Sequence, residues 1–135
     1  MDTKDITLDQ ANAVVAAALE KAKQQGTKMN CAVVDAGGNL KAFGRMEGAW
    51  LGSIDIAIRK ARTARYFDMP TGELGKLSQP GGALWQIEAS NGGLITFPGG
   101  VPLKLGDTVV GAVGVSGSTV DDDHACATAG SEALA

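Results

Sequence analysis

A chain of 135 residues with 44% hydrophobic residues can build one proper core and is too apolar to stay disordered, so a single domain over residues 1–135 is expected. Its formal net charge of -3 argues against a nucleic-acid partner, which needs a basic surface. No apolar run approaches the roughly 18 residues of a membrane span, and the polar start MDTKDITLDQ is unlike a signal peptide, so a cytoplasmic protein is expected.

Thr7-Leu8-Asp9-Gln10 has the pattern of a capping box, a Thr followed three residues later by Gln. Leu8, Ala11, Val15, Ala18, Leu19 and Ala22 then recur at helical spacing, and Gly26 offers a C-cap. Met29 to Asp35 and Leu40 to Met46 read as two strands joined by the turn Ala36-Gly37-Gly38-Asn39. Ser53 is the expected cap of a second helix running to about Tyr66, in which Arg59 can pair with Asp55 one turn away. Thr71 is the expected cap of a short helix, TGELGKLS, and Ala83 to Ala89 is a possible helical turn between glycines. Leu94 to Phe97 reads as a third strand. It leads into Val101 to Leu105, the turn Gly106-Asp107 and the strand Thr108 to Val115. Thr119 before Asp121, Asp122 and Asp123 marks the last helix, with an apolar face of Ala125, Cys126, Ala129 and Ala133. Five short strands in hairpins with helices on both faces define an α+β chain, an α/β/α sandwich around a largely antiparallel sheet.

Much familiar chemistry is absent. A single histidine and two cysteines without CxxC spacing fall short of the four ligands of a dedicated zinc site, so no metal is assigned. No GxSxG elbow and no complete phosphate-binding glycine loop occurs. Cys31 and Cys126 lack any CxxC spacing and are expected as buried, reduced thiols. What remains is a cationic helix with Arg59, Lys60, Arg62 and Arg65, a glycine-rich wall after Phe97, several carboxylates and His124. The cations form either a solvated face or an anion site. His124 is a helix-end surface residue, an axial haem ligand or a general acid–base. Asp35 is either a turn former or a site carboxylate. The three aspartates complement the helix dipole, and one of them can accept a salt bridge from the cationic helix.

The segments AVVDAGGNLKAFGRMEGA, SIDIAIRKARTA and FPGGVPLKLGDTVVGAVGVSG, followed by an acidic helix start, resemble the GlcG/HbpS family. That family includes the C-terminal domain of PduO-type proteins. The resemblance runs from Asp5 to the end of the chain, and the order of V-D-x-x-G, K-A-R-T-A, P-G-G-V-P and G-x-x-G-V-S-G is its specific part. It implies a profilin-like sandwich with a five-stranded antiparallel sheet, assembled as a tetramer or octamer. It also implies a link to haem, or to glycolate and diol or glycerol pathways. Asp35, Arg45, Lys60, Arg62, Thr63, Pro98, Gly99, Gly100, Ser116 and Gly117 stand at the family's recurrent positions. Many members carry a histidine after V-D-x-x-G, where this chain has Asn39; His124, Met46 or Met69 would then have to supply an iron ligand.

Three functions are compatible with these residues. The first is an oligomer binding haem or another flat anionic cofactor, with Lys60, Arg62 and Arg65 neutralising its acid groups. The second is an isomerase- or lyase-type enzyme on a small carboxylate or oxygenated metabolite. There Arg45 or Arg62 would clamp the acid, and Asp35 or His124 would move protons. The third is an accessory protein of such a pathway without catalysis of its own.

Overall fold

The computed structural model describes residues 5–134. Thr7 closes the expected capping box: its hydroxyl accepts from the Gln10 N–H, and the Gln10 side chain accepts from the Thr7 N–H. Helix α1 follows over Leu8–Gln25 and ends at Gly26, which takes the left-handed conformation. Strands β1 (Asn30–Asp35) and β2 (Leu40–Arg45) form the first hairpin. Helix α2 spans Gly52–Phe67 and α3 spans Thr71–Leu77. Strands β3 (Gly100–Leu105) and β4 (Thr108–Ser116) form a second hairpin, and α4 covers Val120–Glu132.

The sheet has four strands in the order β2-β1-β4-β3, with every neighbouring pair antiparallel. The expected fifth strand, Leu94 to Phe97, is extended chain without a ladder. Its amides are used elsewhere: Leu94 N–H bonds to the Glu88 carbonyl, and Ile95 N–H donates to the Thr63 hydroxyl. Pairing with β4 begins only where Val115 N–H donates to the Gly99 carbonyl. β-Propensity in a four-residue run cannot make a strand whose backbone is already held by a helix and a loop.

Side-chain alternation divides the sheet into two faces. Cys31, Val33, Val113 and Val115 join Ala11, Val14 and Ala18 of α1 and Cys126 and Ala127 of α4 in the larger core. Ala32, Val34 and Ala112 meet Ala57, Ala61 and Ala64 of α2 in the smaller one. The layers are therefore α1 and α4, the sheet, then α2. The inward face of α4 is rotated from the expected one: Cys126, Ala127 and Gly130 are buried, together with Asp123, rather than Ala125 and Ala129.

The α2 layer is built for close approach. A Cβ on Gly114 would run into the Ala57 carbonyl and lie 2.5 Å from the Ala61 nitrogen, and one on Gly100 would strike the Lys60 carbonyl. Glycine in the strand and alanine in the helix let backbones touch, where dispersion between many close atoms replaces the area large side chains would bury.

Two expected caps are reassigned. Helix α2 begins one residue before Ser53, at Gly52 after Leu51, with no side-chain cap; Ser53 is buried, and its Oγ accepts from Ser116 Oγ at 3.2 Å. Helix α3 is preceded by Pro70, and the Thr71 hydroxyl instead donates to the Phe97 carbonyl and accepts from Gly100 N–H. In both cases a tertiary partner took the hydroxyl that local capping would have used.

Candidate functional site

The residues singled out from the sequence separate along the sheet. β1 runs from Asn30, opposite Ser116, to Asp35, opposite Gly111. Asp35 therefore lies at the end of the sheet away from the Ser116-Gly117 turn. Its Oδ1 accepts from Gly37 N–H and Asn39 N–H, each at 2.9 Å, the turn-forming arrangement. Asn39 belongs to the same turn. Arg45 pairs with Asn30 and so lies at the opposite end, exposed.

Lys60 is the centre of a buried knot at that end. A lysine on a helix leans toward the N-terminus. From the middle of α2 its side chain reaches the end of β4, and it is 0% exposed. The ammonium donates to the Val115 carbonyl at 2.9 Å and to Asp123 Oδ2 at 2.7 Å. Asp123, 2% exposed, also accepts from Ser118 N–H through Oδ1. Burial pushes the Lys60 ammonium below and the Asp123 carboxyl above their ordinary ranges, and their mutual contact opposes both shifts. The Lys60 ammonium also lies 4.9 Å from the centroid of the Phe97 ring.

The glycine wall packs on this lysine. A Cβ on Gly99 would lie 2.5 Å from Lys60 Nζ and one on Gly100 would strike the Lys60 carbonyl, whereas Gly117 packs instead on the Lys28 carbonyl. Thr63 is buried one turn further along α2, donating to the Arg59 carbonyl and accepting from Ile95 N–H. Lys60, Thr63, Gly99, Gly100, Ser116 and Gly117 are thus drawn together, and their contacts are to the protein's own backbone and side chains. Arg62 is exposed on the outer side of α2 and takes part in no ion pair among the described residues.

Asp123 is the one of the three aspartates that accepts the expected salt bridge from the cationic helix, through Lys60, although it is not among the site residues expected from the sequence. The signal was present: Asp123, Cys126, Ala127 and Gly130 share one helical face, whereas Asp121 points elsewhere. Thr71, expected as a cap, ties the Phe97-Pro98-Gly99-Gly100 turn to α3.

Outside the knot stands His124. It is exposed, with Nε2 3.4 Å from the Thr128 hydroxyl. It lines two shallow concavities. One, of about 170 Å³, includes Pro98, Gly72 and Lys76; the other, of about 400 Å³, lies between α1 and α4 with Lys21, Ala125 and Ala129. The thiols offer no alternative ligand. Burial pushes the Cys126 thiol up to about 11 and the Cys31 thiol higher still, so both stay protonated and enclosed. Met46 has its sulfur engaged by the Met29 N–H at 3.3 Å, and Met69 is half-buried.

A sequence profile described as "Haem degrading protein HbpS-like" matches residues 6–132. The chain belongs to the HbpS-like family. It is 38% identical to an uncharacterised 15.0 kDa protein of Citrobacter freundii encoded between dhaT and dhaS, over 88% of this chain and 84% of that protein. The solved structure of protein ORFY of Klebsiella pneumoniae is similar at TM-score 0.95 and 35% identity, covering 99% of this chain and 93% of that one. A solved complex of PduOC with haem is similar at TM-score 0.91 and 32% identity, covering 96% and 95%.

Proposed function

We propose that this HbpS-like protein binds haem or a closely related tetrapyrrole. The observation that carries the reading is the likeness over nearly the whole of both chains to PduOC, whose solved structure is a haem complex. The residues present fit such a group. His124 is an exposed imidazole, the strongest iron ligand accessible among the described residues, and haem iron is commonly held by histidine. Lys21 lies in the concavity between α1 and α4 and makes no ion pair among the described residues, so a cation is available there for a propionate group, whereas Lys76 in the other concavity is paired with Glu73. Ala125 and Ala129 leave a low floor on which a flat ring can rest. When bound, haem would supply redox and oxygen chemistry of its own. The chain's part is to ligate through His124, to balance charge through Lys21 and to shield one face.

The concavities are open, so one chain covers a flat ring on one side only. We infer that the protein works as a homo-oligomer, and that Arg45, Arg62 and Asp35 serve roles other than iron ligation. The knot around Lys60 positions α4, and with it His124, relative to the Pro98 turn.

Haemin titration followed by absorbance tests this reading. The expected result is a saturable Soret shift with one site per chain, weakened about tenfold or more in His124→Ala, because loss of the axial ligand removes its bond to iron. A shift that survives His124→Ala would move the ligand to Met46 or Met69. No saturable shift would remove haem from consideration and favour a small carboxylate or an accessory role.

A further inference from the structure

The largest concavity among those described is unrelated to His124. It is a groove of about 540 Å³ between the C-terminal part of α1 and the end of β2, floored by Leu19 and Met46 and bordered by Lys23, Lys28 and Arg45. A second groove of about 250 Å³ adjoins it. The two share Gly26, Thr27 and Lys28, and Trp50 also lines the second.

Three observations give this region the character of a ligand site. The ion pairs among the described residues use Arg59, Lys60, Arg65 and Lys76, so Lys23, Lys28 and Arg45 all stay unpaired there. Glu20 and Glu47 line the same groove, yet the five charges form no pair with one another. Lys28 lies at the saddle between the grooves with its exposed side chain against Gly48: a Cβ there would meet its Cδ at 3.0 Å and its Nζ at 3.1 Å. Trp50 is 65% exposed, while the fully buried Asn30 donates from Nδ2 to the Trp50 carbonyl at 3.0 Å and fixes the backbone that presents the indole. An indole held in water beside a cation suits a ligand with an apolar ring and an acid group.

The charge count narrows the class. Three cations against two carboxylates leave one net positive charge, which matches a single carboxylate and disfavours a polyphosphate. We propose that the paired grooves bind an aromatic monocarboxylate, with its ring against Trp50 and its carboxylate at Lys28, while Lys23 and Arg45 keep the adjoining groove positive.

The chain has two tryptophans, so Trp85→Phe leaves Trp50 as the sole indole reporter. In that background 2-naphthoate is titrated, with Trp50 fluorescence corrected for probe absorbance and calorimetry as a second readout. Expected are a saturable fluorescence change, binding about tenfold weaker in Lys28→Ala, and a similar loss for the neutral 2-naphthamide, as removal of one charge-assisted contact predicts. His124→Ala should leave the titration unchanged, which separates this site from the haem reading. Absence of saturation, equal binding of acid and amide, or an unaltered affinity in Lys28→Ala would each overturn the proposal.

Discussion

Lys60 and Asp123 form a 2.7 Å pair with almost no exposure to water. Such a pair contributes little net stability when intact, because desolvating two charges offsets most of their attraction, but removing one partner strands the other. Asp123→Asn is therefore expected to destabilise the fold by about 3–5 kcal/mol, read as a lower urea midpoint with an unchanged slope. The double variant Lys60→Met/Asp123→Asn should recover part of that loss, since no buried ammonium is left behind. A loss below about 1 kcal/mol, the range of a surface pair, would mean that the knot is open to solvent. The residue-level consequence is that the cationic stretch read from the sequence has three fates. Lys60 is a buried tie, Arg59 and Arg65 make local pairs with Asp55 and Asp68, and Arg62 is left without an ion pair among the described residues.

Helix α2 presses against the sheet through alanines, and this closeness depends on Gly114 and Gly100. In Gly114→Ala the new methyl would meet helix backbone rather than a side chain that can swing away. Overpacking against backbone costs about 1–3 kcal/mol or more, so a clear fall in the thermal midpoint is expected. Gly52→Ala serves as the control, because a Cβ there meets nothing within 4 Å and should change stability little. Equal behaviour of the two variants would show that the α2 layer can slide. The same tight layer explains why Leu94 to Phe97 is no strand. Thr63 and Thr71 of the helices hold this segment and the following turn from outside the sheet.

On the scale of the whole molecule, the chain leaves large apolar side chains in water. Leu77, Leu84 and Trp85 are all exposed, Trp85 at 57%. They belong to α3 and the long loop that follows it, where Leu84 N–H bonds to the Leu77 carbonyl. Clustered apolar exposure on an ordered segment is typical of a surface that another chain covers. The proposed homo-oligomer gives it such a cover. Sedimentation equilibrium is expected to return an assembly rather than a monomer, with Trp85→Asp shifting it toward smaller species. A monomer at every concentration would place the loop's apolar surface outside any self-assembly.

The sequence by itself determined the helices, both hairpins, the α+β class and the family. These depend on local signals: a capping box at Thr7 and Gln10, glycine at 26, turns at Gly37-Gly38 and Gly106-Asp107, and motifs in a specific order. Four strands rather than five, the choice of Lys60 as the partner of Asp123 and the diversion of Ser53 and Thr71 from capping were decided only by tertiary structure. Each of these depends on which partner a polar group meets across a sheet or between layers, and that partner is 26 to 63 residues away in the chain for Thr71, Ser53 and Lys60. Hydroxyls and carboxylates satisfy local and distant groups almost equally well. Local pattern therefore predicts that they will be bonded, whereas packing alone selects to what.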